Sequence, residues 1–173
     1  MGAGRAIFSI SPLEVLEVPE GRLLLQTLRS HDQFNTTIYG LDDRYRGVSN
    51  GRRVVFVHPE DISMLGLSEG GYVDLVSEWS DPDAPERDTV HRRAPSFRVV
   101  AYDQPRGCAA AYYPETNPLI PLDSKALHSN CPTSKSVIVR LVPCDPASDH
   151  GPLTTYPGEY GVEASDGQKH HVE

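Results

Sequence analysis

Apolar positions along this chain fall in short runs separated by long polar stretches, not in a stripe at helical spacing. Residues 22–28 (RLLLQTL) form a brief apolar run compatible with a buried strand. Residues 53–57 (RVVFV) form a second, marked by β-branched content. Residues 72–78 (YVDLVSE) alternate as a half-buried strand does. Three further runs, 97–102, 108–112 and 136–142, also read as strands. A short helix is expected to start at His58-Pro59-Glu60-Asp61. Proline loses nothing in a first turn, where its missing N–H has no partner, and acids suit the positive helix end. Gly66 is placed to end that helix.

The stretches between these runs set the organisation. Residues 1–20 carry Pro12 and Pro19 with little periodicity and read as an incoming arm. Residues 29–52 are polar, contain Gly40, Gly47 and Gly51, and are too long for a plain connector. Residues 79–95 are charged and proline-bearing, and read as a hairpin tip or loop. The pattern predicts a mainly β fold with short helices, a small barrel occupying residues 21–143. Residues 144–173 are rich in Gly, Pro, Asp and Ser and are expected to be an acidic, disordered tail.

Composition narrows the function classes. The net charge is −8, and residues 143–173 account for −5 of it, with six acids against Lys169. No basic excess remains elsewhere, so a nucleic-acid partner is not expected. No run reaches the roughly 18 apolar residues of a membrane span, and the N-terminus lacks the apolar core of a secretory signal. Cys108, Cys131 and Cys144 are odd in number and form no CxxC. They are expected to be reduced thiols of a cytoplasmic protein rather than a disulfide framework or a thiolate cluster.

Three segments could carry chemistry. In residues 27–37 (TLRSHDQFNTT) a strand opens into nearly every type of hydrogen-bonding side chain. Gln and Asn offer donor and acceptor together and match the amide edge of a flat heterocycle. Arg offers a fork for phosphate, and hydroxyls with backbone N–H groups suit a pyrophosphate. A polar loop folded on its own Asx and Ser/Thr turns would have the same composition. Ser30, His31 and Asp32 are consecutive, so they cannot converge as a catalytic triad must. The second segment, 66–75 (GLSEGGYVDL), reads as a helix end and a tight turn into a strand, with glycines at positive φ. The third, 112–122 (YYPETNPLIPL), pairs two aromatics able to stack on a ring with Asn117, and is followed by Lys135.

Together and in this order, the segments resemble the C-terminal dinucleotide-binding domain of molybdopterin oxidoreductases. LLLQTLRSHDQFNT is similar to that domain's pterin-contacting loop, GLSEGGYVDL to its glycine turn, and TNPLIPLD with PTSKSVIVRL to its last cofactor loop and closing strand. The strings RSHDQFNTTIYGLDDRYRG and AAYYPETNPL most resemble the formate-dehydrogenase-like branch. The resemblance implies a double-psi β-barrel with bis-molybdopterin guanine dinucleotide across one end and molybdenum or tungsten held by the full-length enzyme. By matching position, Thr27, Arg29, His31, Gln33, Asn35 and Thr36 would face the pterin or its phosphates, with Asn117 and Lys135 completing the site. Gly71 stands where relatives often carry Asp, and Ile120 where many carry Thr. No residue here matches a molybdenum ligand, so the remaining domains of the same oxidoreductase are the expected partner. A non-enzymatic barrel binding a protein or peptide is the alternative reading.

Overall fold

The computed structural model describes residues 8, 10, 15–35, 40–126 and 128–146. Among them, six strands close into a barrel: β1 (Leu23–Leu28), β2 (Val54–Val57), β3 (Tyr72–Trp79), β4 (Val90–Ala101), β5 (Cys108–Tyr112) and β6 (Val137–Cys144). Around the barrel the order is β1-β5-β2-β4-β3-β6. The pairs β1–β5 and β2–β4 are parallel and the remaining pairs antiparallel. This closed, mainly β architecture is the one the double-psi resemblance implies.

Alternation decides what fills the barrel. Leu23 and Leu25 of β1, Val55 and Val57 of β2, Val73 and Leu75 of β3, and Val137 and Val139 of β6 meet in one buried cluster. The outward residues of β2 are buried as well. Val54 and Phe56 pack with Val48 and Tyr112 in a second cluster that includes the loop between β1 and β2. A loop covering the outer face explains why β2 reads as unbroken apolar sequence rather than as alternation.

Helix α1 (Pro59–Met64) forms as the sequence predicts. His58 is its N-cap, with Nδ1 accepting from the Glu60 N–H at 3.1 Å, and Pro59 fills the first turn. Asp61 is buried and accepts from the Gly107 N–H at 2.7 Å, tying the helix to the entry of β5. Gly66 and Gly70 take positive φ, but Gly71 does not. A Cβ at Gly71 would stand 3.0 Å from the Ser68 carbonyl oxygen, so close approach, not φ, favours glycine there.

Two elements differ from expectation. The second half of β3 pairs with a strand that begins at Val90, inside the stretch expected to be a loop. Pro95 and the charges of HRRA hide its alternation, and the strands lose register between Val73 and Leu75. Asp74 holds that irregularity together: it accepts from the Ser96 N–H at 2.9 Å and from the Arg93 guanidinium, while Ser96 sits at φ 59°. The other difference is a 3-10 turn at Asn117–Leu119. The expected disordered tail beyond residue 146 lies outside the described residues.

Candidate functional site

Strand direction brings the first and third suspect segments, with Lys135, to one end of the barrel, whereas the glycine turn at 66–71 enters β3 at the opposite end, where Tyr72 lies opposite Cys144. β1 and β5 run parallel and finish together, with Leu28 opposite Tyr112. β2 and β6 run antiparallel to those neighbours and therefore begin at that end, with Val55 opposite Ala111 and Val137 opposite Leu25. The loops 29–53 and 113–136 consequently leave and return at the same mouth.

Tyr113 joins them. Its N–H donates to the Leu28 carbonyl at 3.1 Å. Its hydroxyl donates to the Asn35 carbonyl at 3.2 Å and accepts from Arg29 Nε at 2.6 Å. Its own carbonyl accepts from Gln33 Nε2 at 3.2 Å and from Arg52 Nη2 at 3.0 Å. Arg29 also lies over the Tyr113 ring, 5.8 Å from its centroid. The loop before β6 joins from the other side: the Thr27 N–H donates to the Ser134 carbonyl, and Lys135 Nζ donates to the Thr27 carbonyl.

The expected site residues divide by burial. Arg29, His31, Asn35, Asn117 and Lys135 are exposed at this mouth. Thr27 and Gln33 are buried. Gln33 spends both ends of its amide inside the chain. Its Oε1 accepts from Arg52 Nη2 at 2.7 Å and the Ser30 N–H at 3.2 Å, and its Nε2 donates to the Asn35 and Tyr113 carbonyls. Thr36 lies outside the described residues. Asn35 takes φ 52°, a conformation asparagine tolerates better than most residues. His31 lays its ring on Tyr45, centroids 3.7 Å apart, and donates its N–H to Asp43. Asn117 opens a turn fixed from below, where Ser77 Oγ donates to the Leu119 carbonyl at 2.7 Å and Arg92 Nε donates to the Pro118 carbonyl.

Beneath the mouth are residues that sequence reasoning did not single out. Arg52 is buried with its guanidinium 4.8 Å from the Tyr112 ring centroid. It donates through Nε to Glu115 Oε1 at 2.8 Å and through Nη1 to Ser30 Oγ at 2.6 Å. Glu115 is buried too, and its Oε2 has no hydrogen-bond partner among the described residues. Asp43 forms a second node, accepting from the Tyr112 hydroxyl at 2.8 Å and from Arg46 Nη1 at 2.6 Å. Burial alone would raise the Asp43 pKa. The hydrogen bonds from Tyr112 and Arg46, the Arg46 charge and the His31 N–H outweigh it and hold the carboxyl below its usual range. Burial, then the bond to Asp43, pushes the Tyr112 phenol well up, so it remains a donor. Arg52 stands beside a strand and Glu115 inside a loop; nothing in local sequence pairs them across 63 positions.

A cleft of about 510 Å³ opens beside the 113–136 loop, between Leu16 and Pro19 of the arm and Trp79, Leu119, Ile120 and Val137. None of the expected site residues lines it.

Comparison with known proteins decides what this mouth belongs to. Residues 23–137 match the model of the molydopterin dinucleotide binding domain. The chain belongs to that family. An uncharacterized oxidoreductase of Mycobacterium tuberculosis strain H37Rv is 63% identical over 140 residues, covering 81% of this chain and 18% of the relative. Protein YdeP of Escherichia coli strain K12 is 37% identical over 145 residues, covering 82% of this chain and 18% of that protein. The chain thus spans about a fifth of the length of these relatives. Binding of a molybdopterin dinucleotide is the function of the family's domain, and the reading as a non-enzymatic barrel is not favoured.

The residues at the mouth fit such a group. Arg29 and Lys135 are exposed cations suited to phosphate oxygens, and Asn35 and Asn117 are exposed amides suited to the edge of a flat heterocycle. Among the described residues no helix is long and apolar enough to cross a membrane.

Proposed function

We propose that this chain is the cofactor-gripping end of a formate-dehydrogenase-like molybdenum or tungsten oxidoreductase, and that its ligand is bis-molybdopterin guanine dinucleotide. The observation that carries this reading is the meeting of the 29–53 and 113–136 loops through Tyr113, with Lys135 tied to Thr27 beside them. Arg29 and Lys135 hold phosphates. Asn35, Asn117 and His31 meet the pterin or guanine edges, and Thr36 adds a hydroxyl by its matching position. Thr27 and Gln33 act from behind, since one is buried in β1 and the other's amide is engaged within the loops.

When bound, the group supplies redox chemistry at its metal, whose protein ligand comes from domains outside this chain. This chain's residues orient the pterin and screen phosphate charge. The partner is the rest of the same oxidoreductase, in the cytoplasm; three free cysteines support a reducing compartment. The test is to express the chain joined to the remaining polypeptide of such an enzyme, with and without Arg29→Ala and Asn35→Ala together. Released pterin and metal are then measured per protein. Loading should fall at least tenfold in the pair, by the scale of losing several charged and amide contacts, roughly 1.4 kcal/mol per tenfold. Unchanged loading would sink the reading.

A further inference from the structure

Arg52 and Glu115 are both buried to about 2% exposure, and they lie on opposite sides of the seam between the two loops at the mouth. Arg52 leads into β2, on the return of the 29–53 loop, while Glu115 is three residues beyond the end of β5. One guanidinium therefore reaches Ser30 and Gln33 in the first loop and Tyr113 and Glu115 in the second. The acceptors bracket the exposed residues: Ser30 follows Arg29, Gln33 lies two before Asn35, and Glu115 lies two before Asn117. Arg29 and Asn35 are in turn bonded to Tyr113, whose carbonyl Arg52 holds.

We infer that Arg52 is a positioning residue that locks the two cofactor loops into one rigid body, so that the mouth is built before the ligand arrives. The inference rests on the proposed site. Guanidinium geometry is essential to it: a planar fork can satisfy divergent acceptors at fixed angles, whereas a lysine ammonium keeps the charge opposite Glu115 but cannot span the set. Ordering that the fold supplies in advance does not have to be supplied by ligand binding.

The test uses Arg52→Lys, which preserves the buried charge pair, because Arg52→Ala leaves Glu115 unpaired and can simply unfold the barrel. Asp61→Asn, at the opposite end of the barrel, serves as a control for general loss of stability. The first readout is amide exchange of this chain without cofactor. In Arg52→Lys, the protected N–H groups of Gln33 in one loop and of Thr116 and Asn117 in the other should all exchange faster, by about tenfold or more, with that of Leu24 unchanged. The second readout is pterin loading in the joined enzyme, expected to fall about tenfold in Arg52→Lys, the usual size of an effect exerted through the ligand-contacting groups. Loading in Asp61→Asn should stay at the wild-type level even where its Tm falls as far. Exchange left unchanged in either loop of Arg52→Lys, or loading that merely tracks Tm in both variants, overturns the inference. If Arg29→Ala with Asn35→Ala also leaves loading unchanged, the site reading fails. If that pair empties the enzyme while Arg52→Lys does not, only the coupling fails.

Discussion

Asp43 is buried under the loop that follows β1, yet its carboxyl is held below the usual range by the Tyr112 hydroxyl, Arg46 and the His31 N–H. A depressed folded pKa stabilises the native state above the unfolded value, about 3.9, and that contribution is lost as pH falls through the lower folded value. Asp43→Asn should therefore cost about 1–3 kcal/mol near neutral pH, the range for losing charged hydrogen bonds at a buried site. Urea midpoints of the two proteins should converge below about pH 4. A gap that stays constant down to pH 2 would remove Asp43 from this role. Arg52→Ala should cost more, about 3–5 kcal/mol, because it strands the Glu115 carboxylate in a buried site. Equilibrium urea unfolding measures it, and a loss under 1 kcal/mol would mean Glu115 finds another partner.

Among elements, β1 shows how register and function share one strand. Leu23 and Leu25 point into the barrel, Gln26 is exposed, and the strand ends where Arg29 enters the mouth. Leu25→Ala should cost about 2–5 kcal/mol, since a fully buried leucine leaves a cavity. Gln26→Ala on the same strand should stay within about 0.5 kcal/mol. Equal losses in denaturant melts would contradict the assigned register. β4 carries a different lesson. Its first half was illegible because HRRAPS mixes charges with a proline, and only pairing with β3, with Asp74 holding Arg93 and the Ser96 N–H, makes it a strand. The 3-10 turn at Asn117 was hidden for a related reason: its anchors, Ser77 and Arg92, come from other strands.

For the whole molecule, under the proposed function the mouth is one face of a site whose other face would come from further polypeptide; the relatives this chain matches are roughly five times as long. A bound dinucleotide normally hides most of its surface, about 70–90% for small ligands in closed pockets. The isolated 173-residue chain should accordingly lose pterin during gel filtration, while the same chain joined to the remaining domains retains it. Retention by the isolated chain equal to that of the joined enzyme would show that this domain forms a complete site.

Local sequence determined the strands with clean apolar runs, the Pro59-led helix, and the polar loops able to meet a flat, phosphate-bearing ligand. Those features depend on residues close in the chain: alternation, capping and side-chain chemistry. The order β1-β5-β2-β4-β3-β6 and the meeting of Arg29, Asn35, Asn117 and Lys135 at one mouth were decided by strand pairing between distant segments. So was the difference between residues that face outward and those, such as Gln33, that spend their hydrogen bonds within the fold. Arg52 marks the boundary most clearly. As sequence it is one arginine beside another, and it becomes the centre of the mouth only when closing the barrel buries it against Glu115, 63 residues away, and its guanidinium bonds to groups of both loops.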